Sequence, residues 1–185
     1  MHIIDGRLDI AHWCPSPNFG PRPPGNEGEV NLVVIHNISL PPGQFGGGYV
    51  QLFFQNALPV DEHPYFTEIA ALQVSSHLLI ERDGAVTQFV NFNDRAWHAG
   101  RSVYNGREDC NDYSVGIELE GTDSEAYSAV QYATLIAVIR ALQQAYPAIG
   151  MRITGHEHIA PGRKTDPGPA FDWQYLQHTL AQSGN

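Results

Sequence analysis

An α/β (α+β) fold, with one central mixed β-sheet packed by helices, is what the 185-residue sequence predicts from three features. Short β-branched runs are interspersed with amphipathic helical runs, one pair of strands carries a hairpin signal, and one long helical pattern stands out in the second half.

Taken in order, the segment from Cys14 to Gly28 holds Pro15, Pro17, Pro21, Pro23 and Pro24 and is expected to be irregular. Asn31-Leu32-Val33-Val34-Ile35-His36 is a short apolar, β-branched run, read as a buried strand ending in a histidine. A loop from Pro41 to Gly48 leads into a short helix around Tyr49 to Asn56. The wider Pro41 to Pro64 segment follows a histidine candidate directly and combines glycine, proline and aromatics, as a substrate lid would.

Two strands, Ser76 to Glu81 and Ala85 to Val90, flank Arg82-Asp83-Gly84, where glycine supplies the positive φ of a hairpin turn. Tyr113 to Glu120 is a further strand, with Val115, Ile117 and Leu119 on one face and Gly116, Glu118 and Glu120 on the other. The long helix follows the spacing of Tyr132, Leu135, Ile136, Ile139, Leu142 and Tyr146. Ser128 and Gln131 form its capping box and Pro147 ends it. A short strand, Met151 to Thr154, precedes a loop from His156 to Ala170, expected to be without regular structure. A closing helix then runs from Asp172, with Trp173, Leu176 and Leu180 on one face.

Composition fits a single domain over 1–185, 42% hydrophobic and 16% charged, long enough to bury a core unaided. No run approaches the roughly 18 apolar residues of a membrane span. The start of the chain sets Asp5 and Arg7 where a signal peptide would build its apolar run, so a soluble, cytoplasmic protein is expected. In a reducing compartment Cys14 and Cys110 are expected as free thiols. A net charge of -10 argues against nucleic acid and anionic membranes as partners.

Nine histidines cannot be read singly, so position must select among them. His36 closes one strand and His156 follows another, and strand ends that open onto loops are where sheet proteins place sites. With Asp166, ten residues beyond His156, they make a three-ligand zinc set that leaves a fourth position for water. The pair His156 and His158 is an alternative ligand pair. Glu118 is either a general base beside that metal or, with Glu120, part of a solvated strand face. Lys164 is the single lysine among ten basic residues. That reflects either a coding preference for arginine or a site that needs a compact ammonium.

Four stretches then carry a family resemblance. They are Val34-Ile35-His36-Asn37-Ile38-Ser39-Leu40-Pro41, Arg95-Ala96-Trp97-His98-Ala99-Gly100, Gly116-Ile117-Glu118-Leu119-Glu120-Gly121 and Gly155-His156 through Lys164-Thr165-Asp166-Pro167. In this order they resemble the cytoplasmic 1,6-anhydro-N-acetylmuramyl-L-alanine amidases, part of the wider family that includes phage lysozyme amidases and peptidoglycan recognition proteins. The resemblance runs from about His12 to Trp173, with about residues 30–173 as the motif-bearing core.

It implies an amidase/peptidoglycan-recognition-protein-like fold and zinc held by His36, His156 and Asp166. It further implies Glu118 as general base and acid, and Lys164 as the oxyanion stabiliser. Asn37, Trp97 and His98 would line the sugar and peptide cleft. Gln73 and Asp109 stand near positions where relatives carry arginine, so contacts to the peptide stem transfer least well. The implied activity is zinc-dependent hydrolysis of the bond between N-acetylmuramic acid and L-alanine in small soluble muropeptides, by a monomer. The alternatives are a non-catalytic peptidoglycan-binding module on the same fold and an exported wall-lytic amidase. Retention of all five site residues favours catalysis.

Overall fold

The most apolar β-branched run of the chain lies inside its sheet. The structure, a computed structural model, describes residues 1–182; the last three residues of the expected domain, 183–185, lie outside the described residues. In chain order the strands are β1 (Ile3–Ile4), β2 (Arg7–Leu8), β3 (His12–Trp13), β4 (Phe19–Pro21), β5 (Leu32–Ile38), β6 (Leu78–Ile80), β7 (Val86–Gln88), β8 (Asp94–Ala96), β9 (Val103–Tyr104), β10 (Arg107–Glu108), β11 (Ser114–Glu120) and β12 (Ile153–Gly155). The helices are α1 (Tyr49–Phe54), α2 (Pro64–Ile69), α3 (Ala129–Ala145), α4 (His156–Ile159) and α5 (Trp173–Ala181).

The main sheet has the order β12-β5-β11-β6-β7-β3. Strands β12, β5, β11 and β6 run parallel, and β7 returns antiparallel to β6, so the sheet is mixed as expected. Parallel strands need cover on both faces. On one face Val33, Ile35, Val115, Ile117 and Leu119 pack with α3 and α5 through Leu135, Ile139 and Leu176. On the other, Leu32, Val34, Cys110 and Tyr113 form one cluster, and α1 and α2 add Phe53, Phe54 and Phe66 to a second.

Helix α3 carries the capping box as read: Ser128 Oγ accepts the Gln131 N–H and Gln131 Oε1 accepts the Ser128 N–H. The Gln131 amide also donates to the carbonyls of Glu120 and Ile80, tying the helix start to two strand ends.

Three local expectations need correction. The hairpin strands, β6 and β7, are shorter than the expected Ser76 to Glu81 and Ala85 to Val90, although backbone bonds between Phe89 and His77 and between Glu81 and Ala85 flank them. Gly84 does take the positive φ, at 86°. The proline-rich segment is not wholly irregular: β4 pairs with β8, with Pro21 on an edge where its missing N–H costs nothing. The segment after His156 opens with α4 rather than a bare loop, because Glu157 N–H and Ala160 N–H find acceptors at Asp166 and His156. Two small hairpins were not foreseen, β1–β2 across Asp5-Gly6 and β9–β10 across Asn105-Gly106, each with both turn residues at positive φ. Cys14 and Cys110 are free thiols, as expected.

A part-buried cation ties the start of β11 to the loops around it. The Arg22 guanidinium donates to the carbonyls of Phe92, Asn111, Asp112 and Ser114, and burial lowers its pKa to about 10. Beside it, His77 is fully buried; its Nδ1 accepts the Gly116 N–H, and its Nε2–H donates to the Asp94 carbonyl. Burial first, then the Arg22 charge, lowers the His77 pKa from 6.5 to about 3.

The folded chain therefore keeps His77 neutral while the unfolded chain takes up a proton below about 6.5. The stability that depends on neutral His77 is complete above that pH and is lost as pH falls toward about 3. In His77→Asn, Oδ1 keeps the Gly116 contact without a titrating ring. The urea midpoint of the metal-free variant should be lower at neutral pH yet fall less steeply on acidification. An unchanged acid slope would place the acid sensitivity elsewhere.

Candidate active site

Three adjacent parallel strands deliver the site to one edge of the sheet. Residue Glu118 of β11 is in register with His36 of β5, and Gly155 of β12 is in register with Ile35, so His156 emerges one step beyond. His36 and His156 are buried, and Asp166 reaches them from the loop after α4.

His36 Nδ1, His156 Nδ1 and Asp166 Oδ2 are each 3.0 Å from the other two. The Ala99 carbonyl, 3.1 Å from His156 Nε2, can only accept. His156 is thus protonated on Nε2 and turns the Nδ1 lone pair toward Asp166. Lone pairs converging at such distances repel unless a cation lies among them, so the donor set fits a bound metal ion. Burial, with the neighbouring His156, lowers the His36 pKa to about 4 and keeps the ring uncharged at neutral pH. Burial opposes the charge on Asp166, but its contacts with His156 and His36 outweigh burial and hold it well below the usual carboxylate range.

Glu118 is 8% exposed and its Oε2 has no hydrogen-bond partner among the described residues. Burial and then the Asp166 charge push its pKa well above 4.5, against the pull of Lys164. A buried, unsatisfied carboxyl in a cleft is a mark of function rather than of packing. Glu120, two residues on, is buried as well, so the face is not solvated. Its two oxygens are both occupied, accepting the Gly46 and Arg82 N–H groups.

A cavity of about 380 Å³ joins these groups. Its polar end holds His36, Glu118, His156, Lys164 and Asp166, and its apolar wall includes Tyr65, Ile69, Leu72 and Val74. Lys164 is exposed on the rim side of this lining. Asn37, Trp97 and His98 also line it. The Asn37 amide nitrogen is engaged within the protein, donating to Asp123 Oδ1 at 2.8 Å and to the Pro167 carbonyl at 3.1 Å, so it braces the loop that carries Asp166. The Trp97 N–H donates to Ser75 Oγ. Both His98 ring nitrogens contact protein groups, His36 Nε2 and Ser114 Oγ.

His158 does not join the cluster: it is exposed, with Nδ1 accepting the Gly155 N–H. Tyr127 was not foreseen from sequence; its hydroxyl donates to the Pro167 carbonyl as a second brace. The apolar wall was missed too, although Pro64 at the first turn of a helix capped by His63 is a readable start signal.

A profile of the N-acetylmuramoyl-L-alanine amidase family matches residues 26–169. The 1,6-anhydro-N-acetylmuramyl-L-alanine amidase AmpD of Escherichia coli K12 is 54% identical over 173 residues, spanning 94% of this chain and 93% of that protein. AmpD of Salmonella typhimurium SL1344 is 53% identical over 180 residues, spanning 97% and 95%. A crystal structure of a selenomethionine AmpD derivative superposes with a TM-score of 0.93 at 52% identity, covering 97% of this chain and 99% of that one. A complex of the N-acetylmuramyl-L-alanine amidase AmiD from Escherichia coli with the substrate anhydro-N-acetylmuramic acid-L-Ala-D-γ-Glu-L-Lys gives a TM-score of 0.59 at 26% identity, covering 87% and 65%.

The contrast between the two glutamates can be measured as stability. In Glu120→Gln one buried acceptor becomes a donor facing an N–H, which should cost about 1–3 kcal/mol. In Glu118→Gln the penalty for ionising a buried carboxyl above its ordinary range disappears, so the metal-free variant should be at least as stable as the parent at neutral pH. Urea titrations of both variants check this, and a reversed order would show that Glu118 is a packing residue.

Proposed function

The chain belongs to the N-acetylmuramoyl-L-alanine amidase family, and from that premise we propose that it hydrolyses the amide between N-acetylmuramic acid, in its 1,6-anhydro form, and L-alanine in soluble muropeptides during cell-wall recycling. The observation that carries the reading is Glu118, buried and unpartnered beside the His36, His156 and Asp166 donors.

Zinc is the ion that a donor set of two imidazoles and one carboxylate suits. His36, His156 and Asp166 would hold it, and a zinc ion bound there would supply Lewis acidity toward the lactyl carbonyl and make water easier to deprotonate. Glu118 takes the proton from the attacking water and returns it to the departing alanine nitrogen. Its raised pKa suits both halves of that task, because it binds the proton firmly enough to carry it. The ammonium of Lys164, on the wall of the same cavity, offsets the charge that develops on the carbonyl oxygen. Asn37 fixes the loop beneath the site, and Trp97 offers the substrate an indole face.

The substrate is a small fragment rather than a polymer. A net charge of -10 disfavours an anionic wall polymer. No helix among the described residues is long and apolar enough to cross a membrane. A monomer working in the cytoplasm on imported fragments completes the reading.

Glu118→Gln should bind zinc like the parent while kcat falls by roughly 10² to 10⁴. Metal analysis alongside single-turnover rates would test it, and near-normal turnover would assign the proton transfer to another residue. The substrate is tested separately, by kcat/KM for anhydromuramyl-tripeptide, reducing-end muramyl-tripeptide and insoluble sacculi. The anhydro fragment should be the best of the three, releasing peptide with a free alanine amine. Equal or faster cleavage of sacculi would overturn the recycling role and leave the amidase chemistry standing.

A further inference from the structure

Ser114 opens β11, and its hydroxyl ends a run of polar contacts that reaches the metal-ligand cluster. Its single proton goes to the Cys110 carbonyl at 2.5 Å. Toward its other neighbour, His98 Nε2 at 3.1 Å, Ser114 Oγ can therefore only accept. His98 must carry its own proton on Nε2, which leaves Nδ1 as an acceptor 2.9 Å from His36 Nε2. His36 in turn is protonated on Nε2 and presents the Nδ1 lone pair to His156 Nδ1 and Asp166 Oδ2.

The next residue does the same for the other imidazole. The Ala99 carbonyl accepts the His156 Nε2–H and the Arg163 guanidinium. The backbone N–H groups of His98 and Ala99 both donate to Asn111 Oδ1, at 3.0 and 2.8 Å, and Asn111 is itself buried. The His98 ring lies edge-on to His36, at 5.0 Å between centroids and 85° between planes. Beneath it is Gly116, where a Cβ would come within 2.5 Å of the ring. A glycine inside a strand is explained by such a close approach.

We propose that His98 is a positioning residue and that the His98–Ala99 segment, clamped by Asn111 and Ser114, sets the tautomer of both ligand histidines so that each offers Nδ1 to the metal. This moves His98 from the substrate wall to the support of the metal site, and it rests on the zinc reading above. Without the His98 acceptor, His36 is free to place its proton on Nδ1 and donate it to Asp166, which blocks the metal position. Outer partners of this kind are worth roughly 10- to 100-fold in metal affinity.

The test uses the full chain and zinc itself, in competition with a chromophoric chelator. His98→Leu removes the acceptor and should weaken zinc roughly 10- to 100-fold. His98→Asn puts Oδ1 near the place of Nδ1 and should recover most of that loss. Ser114→Ala frees the His98 ring to change tautomer and should fall between them. Equal weakening by Asn and Leu, or none by either, would overturn the proposal.

Imidazole ¹⁵N spectra of the metal-free parent give an independent reading, which also decides the matter should His98→Leu fail to fold. His36, His98 and His156 should all be protonated on Nε2, and a His98 protonated on Nδ1 would refute the arrangement. A parent that binds no zinc would overturn the metal reading, while these spectra, recorded without metal, still judge the wiring.

Discussion

The register of three parallel strands is the constraint on which the rest depends. Strand β5 lies between β12 and β11, with Ile35 opposite Gly155 and His36 opposite Glu118. Parallel strands bring their C-terminal ends to one edge, so residues 36, 118 and 156 converge without any long loop having to place them. A slip of one residue in β11 would exchange Glu118 for Ile117 or Leu119 and turn an aliphatic side chain toward His36 and His156. The apolar face prevents that slip, because Val115, Ile117 and Leu119 are packed under α3 and cannot be turned outward without losing the core. The same burial that stabilises the sheet therefore fixes the chemistry at its edge.

Hydrogen bonding separates two glutamates that are identical in the strand pattern. Glu118 and Glu120 share one face of β11, and both are shielded from solvent. Glu120 accepts two backbone N–H groups from separate loops and acts as a fastener. Glu118 has a free oxygen, and burial together with the negative Asp166 raises its pKa well above 4.5. Leaving a buried acceptor unsatisfied destabilises a fold, and such a feature is retained where function requires it.

Much of this was legible in the sequence, and the exceptions share a cause. The β5 and β11 runs, the capped α3 and the histidines at strand ends are local patterns, and they were read correctly in kind. The single lysine was a compositional signal, and it lines the cavity with His36, His156 and Asp166. What was missed is long-range polar bonding. Arg22 reaches carbonyls 70 to 92 residues away, and Asn37 reaches 86 and 130 residues along the chain. No spacing rule encodes such partners, so Asn37 and His98 looked like cleft residues when most of their polar atoms face the protein. The small hairpins were a different failure: Asp5-Gly6 and Asn105-Gly106 are turn signals, but their strands are two residues each and too short to show alternation.

The segment from Pro41 to Pro64 shows how far tertiary bonding revises a local reading. Its glycines and prolines suggest a cover that moves as one piece, yet α1 within it buries Val50, Phe53 and Phe54 in the second apolar cluster. Beyond α1, Asn56 makes a reciprocal amide pair with Asn18, whose own amide also donates to the Val74 carbonyl. Moving the whole segment would expose those phenylalanines and break that pair, so it cannot swing as a unit at low cost. What is left is the glycine-rich stretch 41–48, and there Glu120 holds the Gly46 N–H. The residue that fastens this stretch, Glu120, stands two places from Glu118, on the same face of the same strand. Any adjustment of residues 41–48 is thereby referred to β11, the strand that carries Glu118.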